Sequence, residues 1–201
     1  MNTFQIVSIS ISLVALLISL ITAYNNFYTG FKCELFMQPR IILTQVSGMS
    51  AIVIACEIIN SGRRSGSIDD IVLMIKYKQT ATRSVDRYTF FPKLMKASYN
   101  IFETYTQKDF EPFQTISIGE KARLEKYVIF TAANANFQPL VGDIAVKLFL
   151  RLSGDPKWIG SKNQQDFAIS AESLSLWLNG KAIIEANTNY EYRDSLMNDR
   201  F

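Results

Sequence analysis

One short stretch carries the side chains best suited to recognition. Asn60-Ser61-Gly62-Arg63-Arg64-Ser65-Gly66 interrupts an apolar alternating run and precedes a second one. Two adjacent guanidiniums and glycine-flanked backbone amides suit an oxyanion such as a phosphate, which makes Arg63 and Arg64 candidate anion or partner contacts. The plainer alternative is a strand corner. There the asparagine side chain bonds its own turn, the glycines permit positive φ, and the arginines face water. A P-loop is excluded, because the strand-GxxxxGK[ST]-helix context is missing. Asp69 and Asp70, just downstream, can pair loosely with the two arginines, which at a surface is worth little.

Other chemistries lack their residues. The chain has 201 residues and no histidine, which removes Ser-His-Asp and Cys-His nucleophiles and any histidine-liganded metal. The 2 cysteines, Cys33 and Cys56, are too few and too far apart for a zinc knuckle or a CxxC pair. Each falls on the apolar face of a strand pattern, which favours buried thiols over a cross-strand disulfide. The carboxylates are scattered, Asp69 and Asp70 point to opposite faces of a strand, and Ser153-Gly154-Asp155-Pro156 reads as a turn. No catalytic constellation, cofactor site or metal site emerges, so the expectation is a protein that binds or assembles and is not an enzyme.

A second group of candidate contacts lies between Lys76 and Lys96. Lys76, Lys78, Arg83, Arg87, Lys93 and Lys96 are opposed there only by Asp86, and Tyr77, Tyr88, Phe90 and Phe91 interleave with them. Downstream, Tyr99, Phe102, Tyr105, Phe110 and Phe113 add apolar bulk. Basic residues beside aromatics suit an anionic leaflet, a single strand of nucleic acid or an acidic protein. Of these Arg83, Arg87, Lys93 and Lys96 are the candidate membrane-surface or partner contacts. A net charge of +3 is too small to favour a polyanion by itself, so nucleic acid is the least favoured partner. The competing reading is an elaborated loop whose aromatics cover the domain while its charges face water.

The elements that must position these residues begin with an apolar segment. Ile6 to Ala23 contains no charge, and at about 1.5 Å per residue it gives about 27 Å of helix, close to the hydrocarbon thickness of a bilayer. Phe4 before it and Tyr24, Phe27 and Tyr28 after it suit interfacial anchoring. A cleaved signal peptide fits poorly, because Met1-Asn2-Thr3 supplies no basic residue and the apolar run is long. The expectation is a retained single-pass helix over residues 6–24, after a flank of residues 1–5 and before a spacer over 25–31. Lys32 and Arg40 lie on its C-terminal side against an uncharged N-terminal flank, which predicts a cytoplasmic C-terminal domain at the inner membrane. Within the helix Ser8, Ser12, Ala15 and Ser19 share one face. Small and hydroxyl residues there let two copies approach and self-associate; alternatively the serines bond back to their own helix.

The remainder alternates with strand periodicity. Runs at Phe31–Met37, Ile52–Ile58, Ile68–Tyr77, Ala122–Thr131 and Ile144–Leu152 are predicted strands. Ser173–Leu178, Asn179-Gly180 and Lys181–Glu185 read as a hairpin, since Asn-Gly favours the positive φ of a tight turn; a helix over Ala171–Leu178 is the alternative. The predicted architecture is mainly β, an antiparallel sandwich with Greek-key connections over residues 32–186, with a polar tail over 187–201.

The order of features resembles that of small bacterial single-pass membrane proteins with an immunoglobulin-like domain. An apolar helix is followed by a strand ending in Asn60-Ser61-Gly62-Arg63-Arg64, a small residue and Ile68-x-x-Ile71. Glu111-Pro112 and Ile118-Gly119-Glu120 resemble the corner before a later strand in those proteins. Gly66 stands where proline or another apolar residue is frequent, and the middle segment is longer. The resemblance covers about half of the part after the helix and implies an architecture, not an activity. Together these readings predict a membrane-anchored binding or assembly module with an unidentified protein partner. The alternatives are a membrane-associated sensor or effector for a small anionic ligand, read by Arg63 and Arg64, and an envelope protein facing outward.

Overall fold

The computed structural model of the chain describes residues 2–28, 30–78, 87–96, 110–134 and 137–186. The predicted polar tail over 187–201 and Arg83 lie outside them.

The uncharged N-terminal run is helical, as α1 (Thr3–Tyr28), and so extends through much of the predicted spacer. Its Thr3–Tyr24 portion has a mean hydropathy of 2.5, which makes it long and apolar enough to cross a membrane, and its apolar window holds no buried residue among the described ones. Ser8, Ser12, Ala15 and Ser19 are all exposed on it. The hydroxyls of Ser10 and Thr22 instead donate back to the carbonyls of Ile6 and Ile18, at 2.9 and 2.8 Å.

The domain is mainly β and antiparallel, as predicted. Its long strands are β1 (Cys33–Val46), β2 (Met49–Asn60), β3 (Gly66–Tyr77), β4 (Arg87–Lys96), β7 (Arg123–Ala132), β8 (Gly142–Leu152) and β10 (Gln165–Ile169). Short pieces fill in as β5 (Glu111–Pro112), β6 (Ile116–Ile118) and β9 (Trp158–Gly160), and β11 (Lys181–Glu185) ends the described chain as an edge strand. Hydrogen bonds run continuously along β10-β8-β3-β4-β7-β2-β1-β11. The division into two sheets that a sandwich implies is bridged by β4. Its first residues pair with β3 (Leu73↔Phe90 to Lys76↔Arg87), and its later ones pair with β7 (Phe90↔Ala132 to Lys96↔Tyr127).

The sheet curls until its far ends meet. Lys162 N donates to Leu35 O at 2.8 Å, and the Asn163 side chain holds both the amide (2.9 Å) and the carbonyl (2.7 Å) of Met37. Residues after β9 thereby latch onto β1, at the far side of the strand order from β8. The latch sits beside a break in β1–β2 pairing between Met37 and Ile41. Pro39 lies in that break, where it has no N–H to offer a neighbouring strand.

Alternation decides which side chains the curl encloses. Leu35, Met37, Ile41 and Leu43 of β1 and Ile52, Ile54, Cys56 and Ile58 of β2 face Ile71, Leu73 and Ile75 of β3 and Val146, Leu148 and Leu150 of β8 in one core. A second, smaller cluster forms on the opposite face of β1–β2–β7, where Ile42, Val46, Val53 and Ile129 pack with Phe110.

One predicted element is corrected. Residues before Asn179-Gly180 form a helix, α2 (Ala171–Asn179), and not the first strand of a hairpin. Ser170 caps it, its hydroxyl accepting from Ser173 N at 3.0 Å, and Glu172 in the first turn complements the helix dipole. Asn-Gly therefore ends a helix, and β11 pairs with β1. Helix α2 places Trp177, fully buried, over one end of the core, with its indole N–H on Thr44 O at 2.8 Å. The hairpin that the chain does make by a two-residue turn is Ser47-Gly48, both at positive φ (52° and 76°), between β1 and β2.

Candidate functional site

The corner after β2 is where sequence and structure concentrate most. Asn60 closes β2 and is 1% exposed, so its side chain must find partners within the protein. It finds four. Oδ1 accepts from Gly62 N (2.9 Å) and Lys32 N (3.3 Å); Nδ2 donates to Arg64 O and Gly119 O, each at 2.7 Å. A carboxamide has two donors and two acceptor lone pairs, and all are used. Around it, Ser61 N donates to Lys32 O (2.9 Å), Asn60 N to Ala122 O (2.8 Å) and Lys121 N to Gly62 O (3.1 Å). One side chain thus ties together residues 30–32, the turn after β2 and the turn before β7.

The glycines have specific reasons here. A Cβ on Gly62 would lie 2.0 Å from Gly30 O and 2.7 Å from Lys32 N, so the backbone of the incoming chain occupies its side-chain space. A Cβ on Gly66 would lie 2.5 Å from the Phe31 ring, which rests on that residue. The Phe31 ring thus takes the place of a side chain at position 66.

This geometry bears on the anion reading. The amides of Ser61 and Gly62 donate inward, to Lys32 O and Asn60 Oδ1, and form no outward-facing nest. The side chains of Arg63 and Arg64 are exposed, beside exposed Lys32, Glu120 and Lys121. Asp70 lies 3.9 Å from Arg151 on β8, its cross-strand neighbour.

The basic aromatic segment is divided. Tyr77 and Phe90 are buried at the other end of β3, with Tyr88 and Phe137 in edge-on contacts (Tyr77–Tyr88 6.0 Å, Tyr88–Phe137 4.8 Å, Phe90–Phe137 5.0 Å) beneath Trp177. Tyr77 Oη accepts from Leu140 N at 3.1 Å. Arg87 and Lys93 are exposed, Lys96 is half-buried, and Lys78 pairs with Asp166 at 2.6 Å. The aromatics here are core, and the charges surround it. From Gly66 to Tyr77, β3 runs 12 residues, or about 36 Å, so Lys76, Lys78 and Arg87 stand far from the corner that receives α1.

Both cysteines are free thiols. Cys33 is level with Asn60 and Cys56 with Met37, so their strands align them with other residues and no bond joins them. Burial first, and then the Glu34 carboxylate, raise the Cys33 pKa to about 11; burial alone pushes Cys56 higher still. Neither is a nucleophile at neutral pH. Among the described residues no group of three or more Cys, Asp or Glu is placed to hold a metal ion.

Sequence reasoning singled out the corner but missed its cargo, the backbone of residues 30–32. The readable signal was a polar Asn60 ending an otherwise apolar run, next to a glycine too crowded to carry a side chain. The Asn163 latch left no signal, because its partner lies 126 positions away. No protein-family model matches the chain, and no curated protein matches it.

Proposed function

We propose that this protein is a single-pass membrane protein whose β domain is a cytoplasmic binding or assembly module held rigidly against the inner membrane. The observation that carries the reading is the clasp. An uncharged helix of bilayer length ends at Tyr28, and from Gly30 onward the chain is gripped by Asn60 and Gly62. Loosely tethered domains have polar, flexible linkers; here one residue separates the helix from the clasp, which suits a domain that must keep a fixed height and orientation.

The immunoglobulin-like architecture belongs to the same proposal. The strand path divides at β4 into β1-β2-β7-β4 and β3-β8-β10, the order of strands ABED and CFG in such domains. Domains of this kind serve mainly as recognition surfaces, and the described residues offer binding surfaces and no assembled acid, base and nucleophile. Self-association through the exposed Ser8, Ser12, Ala15 and Ser19 face of α1 would bring two such domains side by side. The partner is a protein; nucleic acid is disfavoured by the small net charge.

The orientation is tested by a cysteine engineered after Asn187 and an impermeant thiol reagent on intact cells. Half-buried Cys33 and buried Cys56, both weakly acidic, react slowly in this assay. Labelling only after permeabilisation is the expected result. Efficient labelling of intact cells would favour the outward-facing envelope protein.

A further inference from the structure

We infer that the clasp corner is a headgroup-docking surface: Lys32, Arg63, Arg64 and Lys121 engage the anionic lipids of the leaflet from which α1 emerges, with Trp158 at the edge of the contact. The inference rests on the membrane-anchored reading and names a partner for the same corner.

Chain length sets the height. Tyr28 ends α1 and Gly30 is already in the clasp, so two Cα–Cα steps of 3.8 Å, at most about 7.6 Å, separate them. The polar layer on each side of a bilayer is itself about 5–8 Å thick. The apolar span ends at Tyr24, so four more helical residues add about 6 Å and the clasp lies at most about 14 Å beyond the hydrocarbon, at the outer edge of the headgroups and within about a Debye length of them. The residues it gathers are cationic. Lys32 follows the helix directly, Arg63 and Arg64 lie in the turn that Asn60 holds, and Lys121 N bonds Gly62 O. All four side chains are exposed, and Glu120 is the acid among them.

The same end of the domain presents an aromatic. Ser153 N bonds Ser67 O at 2.9 Å, so the turn after β8 ends beside the start of β3. Trp158, across from Arg151 in β9, is 44% exposed, and the Arg151 guanidinium lies over its ring at 5.4 Å from the centroid. An indole with one apolar face and one polar edge suits the membrane–water boundary. By contrast the basic residues Lys76, Lys78 and Arg87 stand about 36 Å up the sheet, beyond the reach of the leaflet and of its screened potential.

The test uses the full-length protein reconstituted in phosphatidylcholine vesicles, with or without phosphatidylglycerol, containing a headgroup-level quencher. The chain has 2 tryptophans and Trp177 is buried in the core, so the difference from Trp158→Phe reports Trp158. Each basic residue near an anionic surface is expected to multiply the docked population about fivefold. Quenching should rise on anionic vesicles and fall in about 0.5 M salt. Arg63→Glu with Arg64→Glu should cut the docked fraction more than tenfold, whereas Arg87→Glu should leave it unchanged. If the double variant at the corner lost its thermal transition, Lys121→Glu and the lipid and salt dependence of the wild type would decide. Quenching that ignores lipid charge overturns the inference, as does displacement by inorganic phosphate beyond that by chloride at equal ionic strength. A protein that fails to float with either vesicle would refute the anchor itself; one that floats with both, without charge-dependent quenching, would refute the docking alone.

Discussion

Asn60 shows how a polar residue can be essential to a fold while taking no part in chemistry. Its carboxamide is buried and satisfies two amides and two carbonyls from three separate segments. Asn60→Ala would leave those groups facing a small cavity, and we expect a loss of about 3 kcal/mol, since a buried unpaired group costs about 1–3 kcal/mol. In a domain of this size that lowers the melting temperature by about 6–12 °C. Asn60→Asp should be no better, because a carboxylate would confront the carbonyls of Arg64 and Gly119 in place of a donor. Calorimetry of the three proteins checks both; a shift under 2 °C for Asn60→Ala would mean the clasp is not stabilising.

The two helices behave differently because their surroundings differ. Helix α2 is short and amphipathic, and its stability comes from Trp177, whose ring packs against Phe137 of the aromatic cluster and whose N–H reaches Thr44 O. Trp177→Phe removes that bond from a buried carbonyl and should cost about 1–3 kcal/mol in chemical denaturation. Leu176→Ala, on the 49% exposed side, should stay within about 0.5 kcal/mol. Helix α1 buries none of its apolar span against the described residues. If its small-residue face packs two copies together, Ser12→Ile should lower crosslinking in membranes several-fold, while Leu17→Ile on the opposite face should not. Equal yields from both variants would make the stripe incidental.

Over the whole molecule, the clasp couples two parts that would otherwise move independently. Gly62→Ala forces a methyl group into the carbonyl of Gly30 at 2.0 Å, and backbone cannot yield as a flexible side chain would. We expect residues 30–32 to be displaced while the β3–β8 core stays folded. Limited proteolysis should then cut between α1 and β1 at least several-fold faster, with a smaller effect on the thermal transition than Asn60→Ala. Unchanged proteolysis would mean that the corner accommodates a side chain and the coupling is weaker than the packing implies.

Much of this architecture could be read along the chain, because its causes are local. An uncharged run from Ile6 to Ala23 makes an apolar helix wherever it sits, and alternation at Ile52–Ile58, Ile68–Tyr77 and Ile144–Leu152 makes strands with one buried face. The exclusion of histidine chemistry and the pull of Asn60-Ser61-Gly62 toward a turn were equally local. The ambiguous segments needed their neighbours. Whether Ala171–Asn179 became strand or helix depended on a core opening at Thr44 that an indole could fill, and Asn179-Gly180 serves a hairpin or a helix end equally well. Strand β4 was hard to read along the chain because its two halves pair with different strands and its register shifts between Pro92 and Leu94. The meaning of the corner lay furthest from the sequence. That Asn60 holds Lys32, 28 positions earlier, and Gly119, 59 positions later, follows from the curl of the sheet, since contacts between distant segments are made by topology and leave no periodic trace.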